Sequence, residues 1–585
     1  MKCIHVDDIF RHHTINIIQM NGTNTKFECP SDAKSVILET RKNIIYDMTS
    51  IPRCVEHIKF GDKFNQGIEK NVLPNGLQSI VFGYNFNQEI EKNVLPDGLQ
   101  SIHFGYNFNQ SIKENVLPKG LQSIHFGAKF NQSIQHDVLP AELKSIIFSS
   151  QFNQPLAKNV LPQKLQSLKF GLCFNKPIGT DVLPMKLQSL KFGLRFNQQI
   201  EENVLPVGLQ SIKFDTSFNK PIEKNVLPTG LQSIQFGFSF NQLIKDDVLP
   251  EGLQIIKFGW NYNQPININV LPKGLQIIKF GFEFNQLLEK NVLPKGLQSI
   301  TFDHHYNQPI EENVLPIELK SIEFGDNFNQ PIKKGVLPEE LQSITFGDLF
   351  NQPIEKDVLP IGLQSIHFGW KFNQQIGKNV LPNELRVIKF GCDFNQLIGE
   401  NVLPAELRSI KFGYLYNQPI GKNVLPKGLK SIRFDDFFNQ PIGKDVLPNS
   451  LKLITFGDSF NQPIEENVLP SGLKSITFGK SFNQLIENIP KTTKVYLWNI
   501  PPNMSRNYTI YRTNKSELEK LLDNKNVDDI YKSEINGNIN YMIDVEITKP
   551  EINKTKINKT KINKTKINKT KIKELISELE ELLIS

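Results

Sequence analysis

The apolar positions of this chain recur every 22 residues and change their spacing inside each repeat. In one clear copy Phe108 is followed by Ile112, Val116 and Leu117, then by Leu121, Ile124 and Phe126, before Phe130 opens the next. Ile124 and Phe126 stand two residues apart, so both point to one side of an extended segment while Ser123 and His125 point to the other. The segment is expected to be a strand of about four or five residues, because Gly127 follows and the chain must turn there. Glycine suits that turn through its tolerance of positive φ. Pro118 removes a backbone donor and restricts Leu117, which leaves Asn109 to Val116 for one turn of 3-10 helix or an extended bend.

Phenylalanine or tyrosine followed by asparagine recurs twenty times in this register, from Phe64-Asn65 to Phe482-Asn483, without insertion or deletion. A period this strict predicts a repeat solenoid, here about 20 coils of 22 residues, each made of one short parallel strand and an irregular return. A single coil cannot offset its own ordering entropy, so coils must stack and share walls. The recurring asparagine, as in Asn109 and Asn197, is read as lying inside the turn with its side chain bonded to the backbone of its own and the next coil. Recent duplication is the alternative explanation for its recurrence. Drift elsewhere in the unit, such as Asn327 against Glu283, weighs against it.

Five segments are expected. Residues 1–50 form an N-terminal cap with a degenerate coil, in which Ala33, Val36 and Leu38 hold the repeat register and Ile4 to Met20 is either a short helix or two strands. The solenoid occupies 51–486. Beyond Gln484 the register breaks, and 487–550 is a C-terminal cap or small mixed region, with a closing strand from Lys494 to Ile500, a strand at Asn507–Arg512, a helix at Ser516–Asp523 and a strand at Tyr541–Ile547. Residues 551–571 repeat Ile-Asn-Lys-Thr-Lys and form a positively charged linker, since a period of five fits neither helix nor strand. Residues 572–585 form an amphipathic helix with Ile572, Leu575, Leu579 and Leu582 on one face. It is too short to stand alone, so it is expected to need a second copy of itself or a groove on a partner.

The string Phe-Asn-Gln-Pro-Ile, then Val-Leu-Pro, then Leu-x-Ser-Ile-x-Phe-Gly, as in Phe328 to Gly347, resembles the FNIP repeat family. These are leucine-rich-repeat-like modules of social amoebae and of giant viruses of amoebae, and the resemblance covers roughly residues 50 to 486. It implies a leucine-rich-repeat-like fold. Some members carry an F-box or a kinase domain beside the repeats. Residues 1–50 lack the leucine- and proline-rich opening of an F-box, and no glycine-rich phosphate loop with a lysine strand behind it is present. A substrate-recognition adaptor of a ubiquitin ligase is therefore an alternative that rests on the family alone.

Composition changes this picture little. The formal charge of +7 comes from 67 basic against 60 acidic residues, with much of the excess in the lysine-rich end. Cys3, Cys29, Cys54, Cys173 and Cys392 follow no paired spacing, which predicts a reducing compartment and neither a disulfide frame nor structural zinc. No apolar run suits a signal peptide or a membrane span, so the expected location is the cytoplasm, or the host-cell cytoplasm for a viral source. His304-His305 beside Asp303 is the densest titratable cluster, yet it falls at variable turn positions, and no spacing nominates a catalytic, metal or cofactor site.

The outward strand position is more informative. Lys169, Lys191 and Lys213 fall there in successive coils, as do Lys257 and Lys279, and then Lys389, Lys411 and Arg433. With coils about 4.8 Å apart these make cationic ladders. Trp260, Trp370 and Tyr414, with Tyr84 and Tyr106, lie beside them at the turn. Such a surface is a solvated face, a protein-binding face or a nucleic-acid groove. Acidic neighbours such as Glu201, Glu202, Asp246 and Asp247 dilute the field and lower the nucleic-acid case. The function expected is a non-enzymatic protein-interaction scaffold with no cofactor, with the ligase adaptor and a weak basic nucleic-acid binder as alternatives.

Overall fold

The structure, a computed structural model, describes residues 15–20, 34–40, 47–498 and 510–512. Among these, 24 strands join in one parallel sheet, each bonded to the strand before and after it in sequence. Ser123–His125 pairs with Ser101–His103 and with Ser145–Ile147, placing Ile124 between Ile102 and Ile146. The strands of the coils are mostly three residues long, shorter than the spacing predicts. Turns close in on both sides: Leu121 N–H donates to Pro118 O at 3.1 Å, and Phe130 N–H to Gly127 O at 3.1 Å.

Ile124 and Phe126 are buried and Ser123 and His125 half-buried, as the alternation requires. Inside, two phenyl columns run along the stack. Phe126 lies 4.2 Å from Phe130 in its own coil and 5.7 Å from Phe148 in the next, and Phe130 lies 6.2 Å from Phe152. Tyrosine replaces phenylalanine at Tyr262 and Tyr306, whose buried hydroxyls have no hydrogen-bond partner and whose pKa burial pushes far up. Tyr262→Phe is accordingly expected to be neutral or to stabilise by up to about 1 kcal/mol. Denaturant unfolding checks this, and a clear loss of stability would show that the hydroxyl is bonded.

Of the two forms expected for the return, the 3-10 turn is absent from the described coils and the bend is found. Among the described residues the single 3-10 helix, Met48–Ser50, precedes the first full coil, and the returns are turns and extended backbone. Each return bends instead through a left-handed residue at the position before valine: Asn115 has φ 62°, Asp137 61° and Asn203 63°, and the one copy with glycine, Gly335, has 83°. Asparagine, aspartate and glycine are the residues that tolerate this region.

Gly127, by contrast, has no positive φ, which corrects the expectation of a left-handed turn there. Its reason is contact: a Cβ on Gly127 would lie 1.6 Å from Gly105 O of the preceding coil. Three of the four residues that replace glycine in this column bond locally. Asp215 and Asp303 each accept from the next N–H at 2.9 Å, and Ser149 Oγ accepts from Phe152 N–H at 2.9 Å.

The asparagine column links coils. Asn109 Oδ1 accepts from Asn131 N–H at 2.9 Å, and Asn197 Oδ1 from Asn219 N–H at 3.0 Å. The bond serves the next coil rather than its own, and the side chains are half-buried. Gln132 Nε2 adds bonds to Asn109 O at 3.1 Å and Oδ1 at 3.2 Å, a role for the glutamine that the pattern alone does not reveal. Asn197→Ala leaves Asn219 N–H unpaired and is expected to cost about 1 to 3 kcal/mol, toward the lower end because water reaches the site. Lys191→Ala should stay within about 0.5 kcal/mol. Hydrogen exchange from Leu187 to Ile222 compares the two, and equal protection would leave the asparagine with no structural role.

At the ends, Ile15–Met20 is a strand paired along its length with Ser35–Thr40, so the strand alternative holds for that stretch. Val36 and Leu38 stand opposite Ile58 and Phe60, in the register of the coils. Lys494–Leu497 pairs with Ser475–Phe478 and with Ile510–Arg512. The features expected at 516–523, 541–547, 551–571 and 572–584 lie outside the described residues.

Candidate interaction surface

The third residue of most coil strands faces outward, and in-register pairing aligns it from coil to coil. Lys169 lies opposite Lys191, and Lys191 opposite Lys213. Gln235 interrupts before Lys257 and Lys279. Burial lowers the pKa of the Lys169 ammonium, the charge of Lys191 lowers it further, and Asp215 opposes the shift. In the second run His367, Lys389, Lys411 and Arg433 follow one another, all half-buried. Burial first, then the Lys389 charge, holds His367 down to about 4, so it is neutral at pH 7.

Several lysines of the return are paired. Lys158 pairs with Asp181 at 3.0 Å, Lys224 with Asp247 at 2.8 Å, Lys245 with Glu223 at 3.1 Å and Lys422 with Asp445 at 3.0 Å. Among the described residues, Lys169, Lys191, Lys213, Lys257 and Lys279 form no salt bridge. Two of the acidic residues near this face, Glu223 and Asp247, are thus held by return lysines, while Glu201, Glu202 and Asp246 form no salt bridge among the described residues.

Three residues after the strand lysine, a second outward column follows the turn. Phe238, Trp260, Phe282 and His304 stack there at successive ring separations of 5.3, 3.8 and 4.4 Å. Sequence reading singled out Trp260 and missed its partners, although stepping by 22 from Trp260 finds both. Trp260 is 43 % exposed and sits beside Lys257, with Lys279 one coil on. Trp370 is exposed in the coil of His367, and Tyr414 in the coil of Lys411 tilts against Phe437 at 4.9 Å. Lys389, Lys411 and Arg433 therefore form a separate surface from the Lys257, Lys279 and Trp260 cluster. His304 Nδ1 meets Asp326 at 2.8 Å and His305 Nδ1 meets Glu283 at 2.9 Å, so the histidine pair is engaged by carboxylates of its neighbours. No group of three His, Cys, Asp or Glu side chains among the described residues is placed to hold a metal ion. Nor is any helix there long and apolar enough to cross a membrane.

In-register three-residue strands, buried leucine, isoleucine and phenylalanine, and an irregular return define a parallel β-solenoid of leucine-rich-repeat type. The FNIP repeat model matches in segments from 47–85 and 86–129 through to 438–481 and 460–495, the later ones overlapping, and the chain belongs to the FNIP repeat family. A crystal structure of CroV588, described as a novel circular LRR protein, is 38 % identical, covering 83 % of this chain and 86 % of its own, with a TM-score of 0.65. YopM from Yersinia enterocolitica WA-314 is 18 % identical over 76 % of this chain and 86 % of its own, with a TM-score of 0.42. A chain of the Toll–Spatzle complex of Drosophila is 12 % identical over 79 % of this chain and 63 % of its own, with a TM-score of 0.49. No curated protein matches the chain in sequence.

Proposed function

We propose that the chain is a non-enzymatic protein-interaction scaffold whose strand face selects an acidic partner. The observation that carries this is the alignment of cations on one face: several return lysines, such as Lys158 and Lys224, pair with carboxylates, while Lys169, Lys191, Lys213, Lys257 and Lys279 stand in register on the strand face and form no salt bridge among the described residues. A solenoid displays an extended surface of this kind without needing a pocket. The aromatic column favours protein over nucleic acid. Bases bind aromatic side chains by stacking on open ring faces. Trp260 and Phe282 are 3.8 Å apart and cover each other's faces, leaving ring edges and lysines to the partner.

The test compares the full chain with Lys169→Glu/Lys191→Glu/Lys213→Glu and with the return-arc control Lys158→Glu/Lys224→Glu, in affinity capture at rising salt. Acidic proteins held by the parent and by the control should bind the strand-face variant about tenfold more weakly or worse, and salt should release them. Equal capture by the strand-face variant at low salt would overturn the reading.

A further inference from the structure

Between the two outward columns lies a half-open cavity of about 380 Å³ along six coils, from His103 to Asp215. Its shape follows from side-chain size in the turn column. Tyr106 and Leu172 are bulky and exposed, while Ala128 and Ser150 between them are small, so the ridge is notched over two coils. Backbone bonds hold this column in register through the notch: Lys129 N–H to Tyr106 O at 2.9 Å, Gln151 N–H to Ala128 O at 2.9 Å, and Cys173 N–H to Ser150 O at 2.8 Å. The strand column supplies the other wall. His103 and His125 stack at 4.0 Å at one end, Ile147 lies in the middle, and Lys169 and Lys191 stand toward the other, two cations against the single carboxylate of Asp215.

We infer that this notch is a docking site for an extended acidic peptide that carries one large apolar side chain three residues away from its acidic group. The apolar side chain fits between Tyr106 and Leu172, over Ala128, Ser150 and Ile147. Acidic side chains then reach Lys169 and Lys191. From the middle of the notch to the middle of the lysine pair is two coils, about 10 Å at the spacing of parallel strands. An extended chain covers that in about three residues. Size agrees as well, since a few hundred Å³ is the usual scale of a specific ligand site. Apolar surface next to unpaired cations excludes peptides that offer only one of the two features. The inference rests on the acidic-partner reading above and narrows it to one stretch of the face.

The repeat supplies a substitution that fills the notch without disturbing the fold, because Tyr84 and Tyr106 already occupy the same column and stack at 4.6 Å. Ala128→Tyr would extend that stack by one ring. The probe is a fluorescein-labelled peptide, Gly-Trp-Gly-Ser-Glu-Glu-Gly, together with its reversed sequence because the direction of the chain is open. Control peptides replace Trp by Gly, or both Glu by Gln. Fluorescence anisotropy with the full chain should show binding in one direction, and each control peptide should bind at least about tenfold more weakly. Ala128→Tyr and Lys169→Glu/Lys191→Glu should each weaken binding of the probe at least about tenfold, while Lys257→Glu/Lys279→Glu should leave it within about twofold. Unchanged affinity in Ala128→Tyr, with loss in Lys169→Glu/Lys191→Glu, would overturn the notch and leave the acidic-partner reading standing. Unchanged affinity in both would overturn the two together. No binding of either probe direction by the parent would overturn the notch.

Discussion

Phe192→Ala is expected to cost about 3 to 5 kcal/mol, the usual range for truncating a buried phenyl ring. Phe192 is fully buried. It stacks on Phe196 of its own coil at 3.8 Å and stands 5.7 Å from Phe170 before it and 5.4 Å from Phe214 after it. The void cannot close easily. Phe192 N–H is bonded to Lys213 O at 2.9 Å, and Phe170 N–H to Lys191 O at 2.8 Å, so the ladder keeps the neighbouring coils at their spacing. Because a solenoid is coupled through nearest neighbours, the loss should appear first as local opening rather than as a shift of one global transition. Hydrogen exchange by mass spectrometry should show protection lost across the coils of Phe170, Phe192 and Phe214, with coils near Phe64 and Phe438 unchanged. The exposed ring Phe238 serves as control, since Phe238→Ala should cost within about 1 kcal/mol. Equal protection in the two variants would mean that the phenyl columns are dispensable.

Much of this molecule is legible in the sequence because a repeat displays its own tolerances. The two-residue step from Ile124 to Phe126 places both in the core, and the strand register follows from the period. The lysine columns follow from the same arithmetic. What sequence does not show is which lysines are already neutralised. Lys158 and Asp181 are 23 residues apart, and their pairing becomes visible only once the coils are stacked. The cavity between Tyr106 and Leu172 is hidden for the same reason, since it arises from the sizes of side chains 22 residues apart. Two backbone errors have a different origin. The left-handed residue was available to sequence reading, because the position of Asn115 holds only asparagine, aspartate or glycine from Asn71 to Asn467. The glycine at 127 drew attention instead. An asparagine-rich chain that never places asparagine in that column from Gly61 to Gly479 was already signalling that φ is not the constraint there.

The close approach at that glycine column carries the second large prediction. A Cβ on Gly259 would stand 1.6 Å from Gly237 O and 2.4 Å from Gly237 C, both backbone atoms that cannot swing aside as a side chain would. Gly259→Ala is therefore expected to cost about 2 to 3 kcal/mol, at the upper end of ordinary overpacking. Gly76→Ala places a Cβ with nothing within 4 Å and should be neutral or stabilise by up to about 1 kcal/mol, by restricting the unfolded chain. The chain's own exceptions indicate how a Cβ is accommodated. Ser149, Asp215, Asp303 and Asp435 each have glycine in the coil before and the coil after. Three of them add a local hydrogen bond that alanine lacks. A displaced coil can thus shift against flexible neighbours, but two adjacent coils cannot both be displaced. Gly259→Ala/Gly281→Ala should consequently cost more than the sum of the single variants, because Gly281 packs on Gly259 O in the same way, at 1.7 Å. Chemical denaturation of the four variants measures this coupling. Small, additive costs would show that the spacing between coils relaxes freely, and the recurrence of glycine would then need another cause than backbone contact.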